Sequence, residues 1–117
     1  MRLGVVILPS ARWRDAAQHW RRVEEMGVGV AYTYDHLSWR DFRDRAWFAM
    51  VPTLAAAAAA TTRLQIGPLV TTPNFRHPVP LAKDLIALDD LSEGRLVVGV
   101  GAGGRGFDAA VLGQAPW

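Results

Sequence analysis

Four short apolar runs, Leu3–Leu8, Val28–Tyr34, Leu64–Val70 and Leu96–Val100, recur at intervals of roughly thirty residues, and this rhythm constrains the fold more than any other feature of the chain. Each run is rich in β-branched or aromatic residues, as suits strands buried on both faces of a parallel sheet. Between them lie helical patterns. In the first, Ala16, Ala17, Trp20 and Val23 share one face while Arg14, Arg21, Arg22 and Glu25 point elsewhere, and Gly27 is placed to end the helix. The second runs from about Trp47 to Thr61, with Pro52 near its start and six alanines, Ala55 to Ala60, which suit close packing of a helix on its sheet. The third carries Leu81, Leu85 and Leu88 on one stripe and stops at Ser92-Glu93-Gly94. Strand, helix, strand at this spacing predicts βαβ units with right-handed crossovers, in an open sheet or in part of a barrel.

In such folds binding and catalytic groups gather where parallel strands end. The third run leaves the sheet through Leu-Val-Thr-Thr-Pro-Asn-Phe-Arg-His-Pro, residues 69–78, where Pro73, Pro78 and then Pro80 fix φ and remove amide donors. The second run ends in Tyr34-Asp35-His36, followed closely by Trp39. Histidine exchanges a proton near neutral pH, and the adjacent Asp35 is a candidate to orient it. A hydrogen-bonded structural pair explains Asp35-His36 as well.

The fourth run ends Val98-Gly99-Val100-Gly101-Ala102-Gly103-Gly104. Its spacing matches a dinucleotide loop, but it follows the wrong strand and lacks the later acidic residue, so close approach of backbone to a flat ligand ring is the better reading. His19 is expected at the surface and His77 to fix its loop. Ser10, Ser38 and Ser92 occupy turn or cap contexts. Arg40, Arg43 and Arg45 suit phosphate or carboxylate groups, and a solvated loop explains them equally well. The zinc-hydrolase and serine-esterase motifs are missing, and no metal site is expected.

With 117 residues, half of them apolar, the chain is sized for one domain, residues 1–117. Its formal charge of +2 arises from 13 basic and 11 acidic residues, with Lys83 the only lysine. That near balance carries no nucleic-acid footprint. The absence of cysteine excludes disulfides and thiolate chemistry and fits a reducing cytoplasm. The apolar stretches are too short for a signal peptide or a bilayer span, so no membrane association is expected.

In order and spacing these pieces resemble the luciferase-like monooxygenase family of flavin- and F420-dependent oxidoreductases. The residues that carry the resemblance are Tyr34 to Trp39, Leu54-Ala55-Ala56 through Thr61 to Gly67, Leu69 to Pro78, Lys83 to Leu96, and Val98 to Gly103. The match runs from residue 3 to about residue 113. The resemblance implies an α/β fold, the first four βα units of a (β/α)₈ TIM barrel, with a flavin or deazaflavin ring held at the carboxyl ends of the parallel strands. It implies a non-prolyl cis peptide at Leu69–Val70 and His36 as the catalytic group facing ring and substrate. Asp35, Leu69, Val70, Thr71, Thr72, Asn74, Gly101, Ala102 and Gly103 are the implied cofactor-binding residues, and Trp39 the substrate contact. The form of the Leu69–Pro78 segment leans toward coenzyme F420, with FMN the alternative. The implied reaction is hydride transfer between F420 and a small organic substrate, or, with FMN, oxygenation by dioxygen.

The chain also departs from the family. A complete barrel takes about 250 residues, and Gly103-Gly104-Arg105 offers no glutamate of the kind some F420 members place after strand four. Barrel-facing apolar groups on four strands are then left uncovered. A second copy forming a homodimer, or the missing C-terminal half, is expected to cover them, and a non-catalytic half that acts only on assembly is the third reading.

Overall fold

The computed structural model describes residues 1–104 and 106–113. Strands β1 (Gly4–Val6), β2 (Val30–Thr33) and β3 (Gln65–Pro68) form a parallel sheet in the order β1-β2-β3. Helices α1 (Trp13–Glu25), α2 (Met50–Ala60) and α3 (Pro78–Leu91) connect or follow them, and a short α4 (Phe107–Val111) comes last. Three-residue 3₁₀ turns lie at Arg40–Phe42 and Pro73–Phe75.

The register places Val5, Ala31 and Ile66 side by side. Together with Trp20 of α1, Met50, Leu54, Ala57 and Ala58 of α2, and Leu88 of α3, Ala31 and Ile66 make one core, against which Val5 packs. Two alanines of the run are thus buried between helix and sheet, where a larger side chain would hold α2 away. Among the described residues no helix packs on the opposite face of the sheet. Val6 there is 39% exposed, and in the segment beyond β3 Val98 and Val100 are 37% and 66% exposed.

One helix boundary differs from the sequence pattern. Helix α2 begins at Met50 rather than Trp47, because residues 47–49 are pinned in extended form. The Phe48 amide donates to the Pro9 carbonyl (2.7 Å), the Trp47 indole donates to the His36 carbonyl (2.8 Å), and Ala49 has ψ 141°. Pro52 then sits in the first turn, where its missing N–H has no helical partner to lose.

The fourth run is not a regular strand. It lies parallel to β3 and its exit through isolated bridges at Ile66–Leu96 and Thr71–Val100. The stretch from Ile66 to Thr71 holds one residue more than that from Leu96 to Val100, so the ladder contains a bulge. The amides of Val97, Gly99 and Thr71 still find carbonyl partners across it, at 2.8, 3.1 and 2.8 Å. Close approach explains the glycines here. A Cβ on Gly67 would overlap the Val97 carbonyl, and one on Gly99 would stand 2.8 Å from the Pro68 oxygen. Their role is contact within the chain, which replaces the ligand-approach reading for Gly99.

Candidate active site

Strand β2 delivers Asp35 and His36 to the same rim at which β3 delivers residues 69–76. The Leu69–Val70 peptide is cis, as the resemblance implies, and both side chains stand out from the surface at 42% and 41% exposure. Thr71 and Thr72 are buried immediately behind them. The Thr72 hydroxyl accepts from the Asn74 amide at 3.2 Å and starts the Pro73–Phe75 turn. The Asn74 side chain donates to the Ala102 carbonyl, tying this turn to the glycine-rich segment. His77 accepts from the Val79 amide at 3.2 Å at the start of α3, the loop-fixing role expected of it.

Asp35 does not orient His36. It is 4% exposed, and Arg76 grips it with two hydrogen bonds of 2.7 Å, one to each carboxylate oxygen. The Thr71 hydroxyl adds a third at 2.6 Å. Hydrogen bonding to Asp35 raises the Arg76 pKa further, against the opposing effect of burial, so the guanidinium stays charged. The clamp fastens the end of β2 to the turn beyond β3. Arg76 carried no signal of its own in the sequence, being one arginine among twelve.

The partner of His36 is Asp108, near the start of α4 and 6% exposed. One carboxylate oxygen is hydrogen-bonded to His36 Nδ1, and the other accepts from the Leu37 amide at 3.0 Å. A single aspartate therefore holds both the ring and the backbone beside it. Sequence reasoning missed Asp108, which lies 72 positions from His36 in a helix of five residues with no motif around it. Trp39 packs against the His36 ring with centroids 4.5 Å apart, and Phe75 lies 6.0 Å away on the β3 side.

Two hollows open beside this histidine. The larger, about 390 Å³, is lined by Asp35, His36, Trp39, Val70, Thr72, Phe75 and the backbone of residues 101–104. It thereby gathers most of the residues that the resemblance implied for the cofactor. Leu69, Thr71 and Asn74 are not among its lining residues. Gly101 and Gly103 are again required by their own neighbours. A Cβ on Gly103, which has φ +76°, would meet Thr72 Oγ1 at 3.0 Å, and one on Gly101 would stand 2.6 Å from Val70 Cγ2. A smaller hollow of about 230 Å³ adjoins it and shares His36, Trp39, Phe75 and Gly104. Arg105, expected to mark the missing glutamate position, lies outside the described residues.

A family model described as luciferase-like monooxygenase matches residues 1–117. The chain belongs to this family. It is 37% identical over 103 residues to an F420-dependent glucose-6-phosphate dehydrogenase of Amycolatopsis mediterranei, covering 86% of this chain and 31% of that protein. Among solved structures, the coenzyme F420-dependent tetrahydromethanopterin reductase of Methanopyrus kandleri superposes with a TM-score of 0.74 at 30% identity, over 87% of this chain and 27% of that one. An F420-dependent secondary alcohol dehydrogenase, solved with an F420–acetone adduct, gives 0.81 at 26% identity over 99% and 36%. The chain thus spans about a third of the length of the relatives it matches, and its parallel units are consistent with part of their barrel. Among the described residues no helix is long and apolar enough to cross a membrane, and no group of side chains is arranged to hold a metal ion.

Proposed function

We propose that this rim is the redox-ring end of an F420-dependent oxidoreductase acting on a small organic substrate. The observation that carries the reading is the 390 Å³ hollow, which combines a protruding Val70, an aromatic wall of Trp39 and Phe75, and a histidine fixed from behind by Asp108. Such a hollow suits a flat, largely apolar ring with a polar edge, as ligand sites of this kind generally do. Val70, Thr72, Phe75 and the backbone of Gly101, Ala102 and Gly103 would hold the ring. Bound there, the deazaflavin supplies a carbon that exchanges hydride with the substrate.

The work of this chain is done by the proton. With Nδ1 engaged by Asp108 and Nε2 without a partner among the described residues, Nε2 of His36 would hold or deliver a proton at the substrate oxygen whose charge changes. Asp108 fixes the tautomer and the ring plane. Trp39 and Phe75 limit water beside it, and the Asp35–Arg76–Thr71 clamp keeps the two strand exits together. Within the same proposal, the open sheet face with Val6, Val98 and Val100 is covered by the C-terminal half of a barrel or by a second copy of the chain.

Titration with oxidised F420 and, separately, FMN, followed by absorbance, tests the assignment. Saturable F420 binding is expected. Saturable FMN binding with no response to F420 would replace the reading with that of a flavin monooxygenase. A folded monomer in solution that takes neither cofactor would remove both enzyme readings.

A further inference from the structure

The smaller hollow carries a chemical signature that the larger one lacks. Arg40 and Arg43 line it together with Ser38, Phe107 and Asp108. Each guanidinium lies over an aromatic ring, Arg40 4.8 Å from the centroid of Trp39 and Arg43 4.7 Å from that of Phe107. Stacking orients a guanidinium while leaving its in-plane N–H groups free to donate. Among the described residues neither arginine is engaged by a carboxylate. Asp41 and Asp44 share the loop but do not line the hollow, and Asp108 is already held by His36 and the Leu37 amide. Arg40 sits at φ +43°, a conformation unusual for a side-chain-bearing residue. The Ser38 hydroxyl is sealed from solvent and finds no hydrogen-bond partner among the described residues. Arg45, by contrast, stacks on Phe42 and stays outside the hollow.

We propose that this 230 Å³ hollow is a subsite for a small organic anion, whose carboxylate or phosphate meets Arg40 and Arg43 while its body rests against Trp39, Phe75 and Phe107. Because the hollow shares His36 with the larger one, the inference rests on the proposed function and names the substrate class of that site. Planar donor groups recognise carboxylate and phosphate oxygens in pairs, and the aromatic walls favour a flat or apolar body.

Calorimetric titration of the chain with benzoate, phenyl phosphate and neutral benzamide provides the test. The two anions are expected to bind saturably and benzamide at least tenfold more weakly; tighter binding of phenyl phosphate than of benzoate assigns the phosphate form, and the reverse order the carboxylate form. The double variant R40Q/R43Q is expected to lose at least tenfold in anion affinity with benzamide binding unchanged, and R40K/R43K to recover part of the loss. Equal binding of anion and amide, no anion binding, or an unaffected double variant overturns the subsite. F420 titration in parallel separates the two proposals. Failure to bind F420 with anion selectivity intact overturns the cofactor reading alone, and F420 binding without anion selectivity overturns the subsite alone.

Discussion

At the amino-terminal ends of the strands, charged side chains are used to saturate backbone. Arg95 donates to the carbonyls of Ser92 (2.7 Å), Leu64 (2.9 Å), Ala58 (2.9 Å) and Thr61 (3.1 Å), and to the Thr61 hydroxyl (2.9 Å). Glu24 accepts from the amides of Thr62 (2.9 Å), Arg63 (2.5 Å) and Leu64 (2.8 Å). At the carboxyl-terminal ends, polar side chains are instead paired with one another, Asp35 with Arg76 and Asp108 with His36, and hollows lie open beside them. A charge spread over backbone groups locks turns in place and leaves little capacity for a ligand. A side chain paired with another fixes a rim while leaving His36 on the lining of both hollows. The difference separates the end that holds the fold from the end proposed to carry the chemistry.

The largest expected effect breaks the chemical end alone. His36→Ala should lower F420-coupled turnover by about 10²- to 10⁴-fold with unchanged far-ultraviolet circular dichroism, and unchanged turnover would take His36 out of the mechanism. Next comes Arg76→Ala, which among the described residues leaves the buried Asp35 side chain with Thr71 alone as a partner. It should destabilise the chain by about 3 kcal/mol in urea unfolding, and a loss below about 1 kcal/mol would mean that the clamp is solvent-screened.

Arg95→Ala probes the opposite end. Loss of five hydrogen bonds to mostly backbone acceptors should cost about 2–3 kcal/mol while F420 affinity stays the same. A shift in cofactor affinity would contradict the division between the two ends. The smallest effect belongs to Glu24. Burial acts upward on its pKa, but amide donation from Arg63, Leu64 and Thr62 outweighs it and holds the carboxyl below the ordinary value of 4.5. The stability this contributes is complete above the unfolded-state value and is lost as pH falls through the lower folded-state value. Glu24→Gln should therefore cost about 1 kcal/mol at neutral pH and flatten the fall in urea midpoint below pH 4.5. An acid limb identical to that of the parent would remove Glu24 as its source.

Much of the scaffold was legible in the residues. The buried stripe of α1 follows from the 3.6-residue spacing of Ala16, Trp20 and Val23, and the stop at Ser92-Glu93-Gly94 from turn chemistry that appears as φ +54° at Glu93 and +77° at Gly94. The fourth run was legible as apolar and parallel but not as irregular, because its bulge depends on how residues 67–71 lie against residues 97–100. At the candidate site, Asp35, His36 and residues 69–74 were singled out from their place at strand ends. Their partners were not, since Arg76 and Asp108 are ordinary residues until the fold brings them to two carboxylate- or imidazole-bearing neighbours.

Local periodicity and backbone restriction thus determined the order of strands and helices, the rim on which they finish, and the candidacy of His36, because those properties act between residues a few positions apart. Which aspartate serves the histidine, which arginine serves the other aspartate, and whether a glycine faces a ligand or its own chain were decided by tertiary packing. Hydrogen bonds and ion pairs are set by distances of about 3 Å in space, and separation along the chain, 72 residues between His36 and Asp108, gives no measure of them.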